Sequence, residues 1–191
     1  MARIAALIIA LLMLAFTTSA SACVGKTLFI GISGTPQEYL LAELVSVLVT
    51  ERTGTTAKVL VYADSRELYS AVRQGKVGLV IENTDRAMDI LGKAKEGGRT
   101  PLESVKSDYR RTLNLVWLEP FGVSPGSTTS QLYAPVIAVD LLGNLPALPK
   151  LLQKLAGVAA DSNYVRLASS AKGEEKAKKM AREYLKSRKL I

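Results

Sequence analysis

Between Leu28 and Ile81, short unbroken apolar runs alternate with longer stretches in which apolar residues return every three or four positions, and this pattern predicts strands and helices in turn. Leu28 to Ile32 is an apolar block closed by Ser33-Gly34, suited to a strand covered on both faces. Thr35-Pro36-Gln37-Glu38 then supplies a side-chain cap, a proline harmless in a first turn, and a glutamate three residues after the cap. Leu40, Leu41, Leu44, Val47 and Leu48 recur at helical spacing, and Gly54 closes the helix. Lys58 to Tyr62 reads as a second strand. Asp64 with Glu67 opens a second helix running through Leu68, Ala71 and Val72 to Gly75, and Val77 to Ile81 reads as a third strand. Such an order, with short loops, predicts a parallel sheet with right-handed crossovers.

Beyond it the pattern is less regular. Asp85 to Leu91 predicts a short helix ending at Gly92, and Lys93 to Arg99 a polar loop. Thr100-Pro101-Leu102-Glu103 opens another capped helix to about Leu113, followed by a strand from Asn114 to Glu119 that Pro120 stops. Phe121 to Gln131 has no periodicity and reads as a connection. Leu132 to Leu141 is strand-like, Leu148 to Leu155 predicts a helix ended by Gly157, and Asp161 to Leu167 reads as a brief extended segment. In the last helix, Ala177, Met180, Ala181, Tyr184 and Leu185 form an apolar stripe. The whole predicts an α/β, three-layer domain with a mainly parallel central sheet.

The first 22 residues stand apart from that domain. Arg3, the apolar run Ile4 to Phe16 and the small residues Ala20-Ser21-Ala22 have the make-up of a secretory signal, placing residues 23–191 outside the cytoplasm, in a periplasm or at a cell surface. Cys23 is the sole cysteine, so no intramolecular disulfide is available. It stands where a lipid-modified cysteine begins a bacterial lipoprotein, while Ala-Ser-Ala equally fits ordinary cleavage, and both outcomes stay open. The formal charge of the chain is +8, and loss of residues 1–22 removes only Arg3. From Lys172 to Lys189 eight basic residues face three glutamates, so most of the excess lies on the outer face of the terminal helix. That face reads as solvated, with anionic lipid as a second reading; nucleic acid is not expected as a partner.

Candidate chemistry follows from topology. In parallel α/β sheets ligands gather where strands end and helices begin. Here those positions carry Ser33, Thr35, Gln37, Asp64, Ser65, Glu82, Asn83, Thr84 and Asp85, a polar and acidic rim able to hydrogen-bond a hydrophilic cation or a polyol. Thr35, Asp64 and the Glu82 to Asp85 run also fit helix caps, and Trp117 fits a strand core as well as a ligand platform. The chain has no histidine, and no nucleophile elbow, phosphate-cradling loop or metal-spaced cluster, so neither an enzyme nor a cofactor or metal is expected.

With these segments placed, the chain resembles the substrate-binding proteins of glycine betaine/choline ABC importers, periplasmic binding proteins of the second type. Gly31 with the capped helix bearing Glu43-Leu44 resembles that family's opening unit. Leu68 to Thr84, with Ala71-Val72, Gly75 and Glu82-Asn83-Thr84-Asp85, resembles a segment that there ends in Glu-Tyr-Thr-Gly. Trp117-Leu118-Glu119-Pro120-Phe121-Gly122 and the Leu151 to Gly157 helix with Asn163-Tyr164 resemble later family landmarks. In that family the chain leaves the first lobe after the tryptophan strand, builds a second and returns. Here Gly122 to Gln131 stands in its place, which implies a single lobe over residues 23–191.

The resemblance implies a non-catalytic import component that binds a glycine betaine- or choline-like osmolyte at the strand ends and delivers it to a membrane permease, with a homodimer as one way to complete the site. Quaternary ammonium groups are held by aromatic faces. In this chain the tyrosine of the motif is Asn83, its glycine is Asp85, and the phenylalanine of the first loop is Thr35. The competing reading is a single-lobe accessory or regulatory protein with little affinity for small molecules.

Overall fold

A computed structural model describes residues 27–93, 101–123, 131–171 and 173–191. The signal segment 1–22, Cys23, nearly all of the 93–99 loop and the middle of the 122–131 connection lie outside the described residues.

The first five elements follow the predicted order. β1 (Leu28–Ile32) leads into α1 (Pro36–Thr53), β2 (Ala57–Val61) into α2 (Ser65–Arg73), and β3 (Leu79–Asn83) follows. Thr35 caps α1 in a complete capping box with Glu38, and Gly54 ends it in the left-handed conformation at φ 71°. Asp64 caps α2, accepting from the Glu67 N–H at 2.8 Å. β3 starts two residues later than the sequence pattern implies. Gly75, at φ 68°, lets the Lys76 N–H reach back to the Ala71 carbonyl, and Gly78 docks on the Phe29 carbonyl before the ladder begins. Glu82 and Asn83 are therefore strand residues, paired with Ala134 and Tyr133.

α3 (Thr84–Ile90), α4 (Pro101–Leu113), β4 (Leu115–Trp117) and β5 (Gly122–Val123) come next, then β6 (Leu132–Ala138). The expected strand 132–141 stops at Ala138, whose N–H bonds Gly78. Val139 turns to the Asn114 carbonyl at 3.0 Å and starts α5 (Val139–Asn144). α6 (Leu148–Leu152) tightens into a 3₁₀ turn over Gln153–Leu155. The segment read as extended from Asp161 is instead the helix α7 (Ser162–Ser170). Asp161 caps it through the Asn163 N–H at 2.8 Å, and Tyr164 and Ala168, four residues apart, give it a buried stripe. α8 (Glu174–Ser187) closes the chain with Ala177, Ala181, Tyr184 and Leu185 buried.

The sheet order is β2-β1-β3-β6-β4, with β5 pairing the start of β6. β2, β1 and β3 are parallel, β6 runs against both β3 and β4, and β4 thus points the same way as β1. Alternation along β3 sends Leu79 and Ile81 to one face and Val80 to the other. On the first face α1, buried on all sides from Leu40 to Val49, is wedged among the sheet, α7 and α8. On the second, Leu68 and Tyr69 of α2, Ala87 and Met88 of α3, and Val105 and Tyr109 of α4 cover the sheet. The result is a helix-sheet-helix α/β domain whose core sheet is mostly parallel.

Candidate functional site

The carboxyl ends of β1, β2 and β3 and the opening of β6 share one edge of the sheet. The β1–α1 turn brings Ser33 and Glu38 there. Glu38 Oε2 accepts from the Ser33 N–H and Oγ, each at 2.9 Å, and from the Thr35 N–H at 3.4 Å. Its other oxygen, Oε1, takes Arg86 Nη1 at 2.6 Å. Nη1 also donates to Ser33 Oγ at 2.7 Å, Nη2 to the Ile81 carbonyl, and Nε to Glu82 Oε1 at 2.6 Å. Glu82 Oε1 accepts a further bond from the Asn83 N–H at 2.7 Å, and Oε2 accepts from the Tyr69 and Tyr109 hydroxyls. With the Tyr69 proton on Glu82, the Tyr109 hydroxyl shares its one proton between Tyr69 Oη, at 2.8 Å, and the more distant Glu82 Oε2, and the two rings meet edge to face.

The whole group is sealed: Glu38 and Glu82 are 0 % exposed and Arg86 is 8 % exposed. Burial leaves the Glu82 carboxyl raised, outweighing the pull of Arg86 and of the Tyr69 and Asn83 bonds in the other direction. Burial works against the charge of Arg86, but the Glu82 and Glu38 carboxylates outweigh it and hold the guanidinium firmly protonated. Tyr69 and Tyr109 are raised, first by burial and next by the Glu82 charge, so both hydroxyls stay protonated donors.

The structure brings Ser33, Thr35, Glu82, Asn83 and Thr84 of the predicted rim together, but mostly with their polar groups engaged inside the protein. Asn83 is buried and caps α3 through the Arg86 N–H at 2.9 Å. Thr84, 1 % exposed, accepts the Leu132 N–H through Oγ1 at 3.2 Å. Asp85 accepts from Gln131 at 3.1 Å. Thr35 and Asp64 are exposed caps; Gln37 and Ser65 are half-buried, and the Gln37 carbonyl receives the Tyr164 hydroxyl. Trp117 lies apart, under α4, edge to face with Tyr109 at 5.4 Å. The sequence pattern marks Glu38 only as the helix-cap partner of Thr35, and it does not single out Arg86, Tyr69 or Tyr109. The spacing of Glu82 and Arg86, four apart, was the one available signal.

Among the described residues no group of three or more metal-binding side chains occurs, and no helix is long and apolar enough to cross a membrane. A cavity of about 600 Å³ lies at the opposite edge of the sheet, lined by Arg73, Arg110, Arg111 and Asp140 among others, far from the strand ends just described.

The antiparallel β6 set between two strands that run with β1, with helices on both faces, is a fold shared with solved structures of ABC-transporter proteins. Among solved structures, apo YehZ from Escherichia coli superposes with a TM-score of 0.70 at 13 % identity, over 87 % of this chain and 100 % of that one. A glycine betaine/carnitine/choline ABC transporter structure gives 0.69 at 11 % identity, covering 86 % and 98 %. A choline-binding protein of an ABC transporter, in complex with choline, gives 0.58 at 9 % identity, covering 85 % and 88 %. No protein-family model matches the sequence, and no curated protein matches it.

Proposed function

We propose that this chain is an extracytoplasmic solute-binding lobe that serves an ABC importer, taking a glycine betaine-like osmolyte at the carboxyl ends of its parallel strands and passing it to a membrane permease. The observation that supports this reading is the sheet order β2-β1-β3-β6-β4, in a fold shared with transporter binding proteins over most of the chain. A ligand at this edge meets Thr35, Gln37, Asp64 and Ser65, so it is held by hydrogen bonds rather than by aromatic faces. A single lobe leaves such a ligand half in water, and affinity requires a cover, from a second copy or from the permease. The secretion signal read over residues 1–22 and a mature start at Cys23, lipidated or free, agree with that place of work.

Titration calorimetry of the mature chain tests it. Saturable heat with glycine betaine, in the millimolar range or tighter and weakened by Gln37→Ala, is the expected result. No heat with glycine betaine, together with no permease recovered on gentle membrane solubilisation, overturns it. One observation favours a second reading, an accessory or regulatory lobe without a small-molecule ligand: the acids Glu38 and Glu82 are already bonded within the chain. Recovery of a membrane partner without any osmolyte heat is its signature.

A further inference from the structure

Two carboxylates with no exposed surface, Glu38 and Glu82, converge from different elements at the edge where such sheets take ligands. An ionised carboxylate so placed is strongly unfavourable unless a cation and hydrogen bonds replace the lost water. One guanidinium answers both. Arg86 Nη1 reaches Glu38 and Ser33, Nε reaches Glu82, and Nη2 reaches the Ile81 carbonyl. Two acids, a hydroxyl and a carbonyl, backed by the Tyr69 and Tyr109 hydroxyls on the far oxygen of Glu82, form the shell a bound organic cation needs.

We propose that Arg86 is a built-in occupant of a cation site: it fills the acidic cage at the strand ends from within, and thereby sets the lobe's specificity against choline-like and guanidinium-like solutes. The inference rests on reading these strand ends as the solute site, and it names the solute class there as neutral or zwitterionic. Tethering explains why a free cation loses the contest. Arg86 sits four residues after Glu82 on the same segment, so it competes at the effective concentration of an intramolecular partner, on the order of millimolar or higher. Its planar fork also spans two acids at once, which a point charge cannot do.

The full mature chain and its Arg86→Ala variant, each melted with and without methylguanidinium, test the proposal, with the neutral isostere methylurea as control. The variant is expected to melt lower than wild type, and methylguanidinium at ten times its dissociation constant to raise the variant's midpoint by about 3–6 °C. Methylurea, wild type with either compound, and the Glu38→Gln/Arg86→Ala double variant are expected to show no rise. Equal responses to methylguanidinium and methylurea overturn the proposal, as does saturable choline binding by wild type. If Arg86→Ala is recovered unfolded, refolding supplies the readout: folded protein obtained only with the cation supports the occupant role, and none obtained with it overturns that role. Glycine betaine binding by wild type is read separately, so failure of the import reading and failure of this one give different results.

Discussion

Glu38 and Arg86, 48 positions apart, meet at 2.6 Å and tie the first turn of α1 to the first turn of α3. Glu38 closes the capping box of its own helix with one oxygen and holds the guanidinium with the other, so local helix start and long-range packing depend on one side chain. Glu38→Gln keeps the shape and removes the charge, leaving Arg86 with a single acid. It should cost about 3–5 kcal/mol of unfolding free energy, the range for breaking one partner of a buried pair. Urea unfolding of the two proteins checks it, and a loss within 1 kcal/mol or so would show the pair to be dispensable.

Glu43 presents the opposite case, a buried acid poorly provided for. It is 2 % exposed in α1, its Oε2 finds no donor among the described residues, and burial, against the Lys178 charge and with that of Glu174, lifts its pKa from 4.5 to about 7. A carboxyl raised on folding favours the folded state when protonated. Its contribution is therefore most favourable below about pH 4.5, falls as pH rises through about 7, and stays low above that. Relative to Glu43→Gln, wild type should lose about 2–3 kcal/mol between pH 5 and pH 8. Paired thermal melts at the two pH values measure the difference, and parallel curves would contradict it.

Gly31 in β1 needs its missing side chain. A Cβ there would stand 2.4 Å from Leu68 Cδ1 and 2.9 Å from Val77 Cγ1, so α2 is seated against bare backbone. Gly31→Ala should lower stability by about 1–3 kcal/mol, the usual cost of overpacking. A chemical-denaturation midpoint unchanged from wild type would mean α2 shifts freely.

Trp117 is 6 % exposed, and its indole N–H has no acceptor among the described residues. Trp117→Phe removes that orphaned donor while keeping a ring against Tyr109, and should change stability by less than about 1 kcal/mol. In wild type the same burial predicts emission that does not move when glycine betaine is added; a shift on titration would bring the indole into the site.

The early part of the fold was legible because each boundary there carries its own chemistry. Thr35 and Asp64 cap, Gly54 ends a helix in the left-handed region, and the apolar runs of β1 and β2 are bounded by polar turns. β3 misled because the apolar run starting at Val77 includes residues that belong to the approach, while the strand continues through Glu82 and Asn83, whose polarity is answered by Arg86 in the next helix and, for Glu82, by Tyr69 and Tyr109 from other helices. α7 was missed because its stripe is short, only Tyr164 and Ala168 being deeply buried before Ala171. At the site, the rim residues were found by topology, but the occupant was not. Nothing near Arg86 in sequence announces Glu38, and the tyrosines beside Glu82 come from α2 and α4, which only the folded sheet brings together.

β4 leaves the sheet, and β6 enters it, as neighbouring strands on the same rim, with Trp117 opposite Val136 and Gly122 opposite Tyr133. A segment inserted between Val123 and Leu132 would begin and end on paired strand residues, so added length costs only the slow logarithmic closure entropy, about 0.6 kcal/mol for each doubling. A reporter domain grafted at that point is thereby uncoupled from the register of the strands on either side.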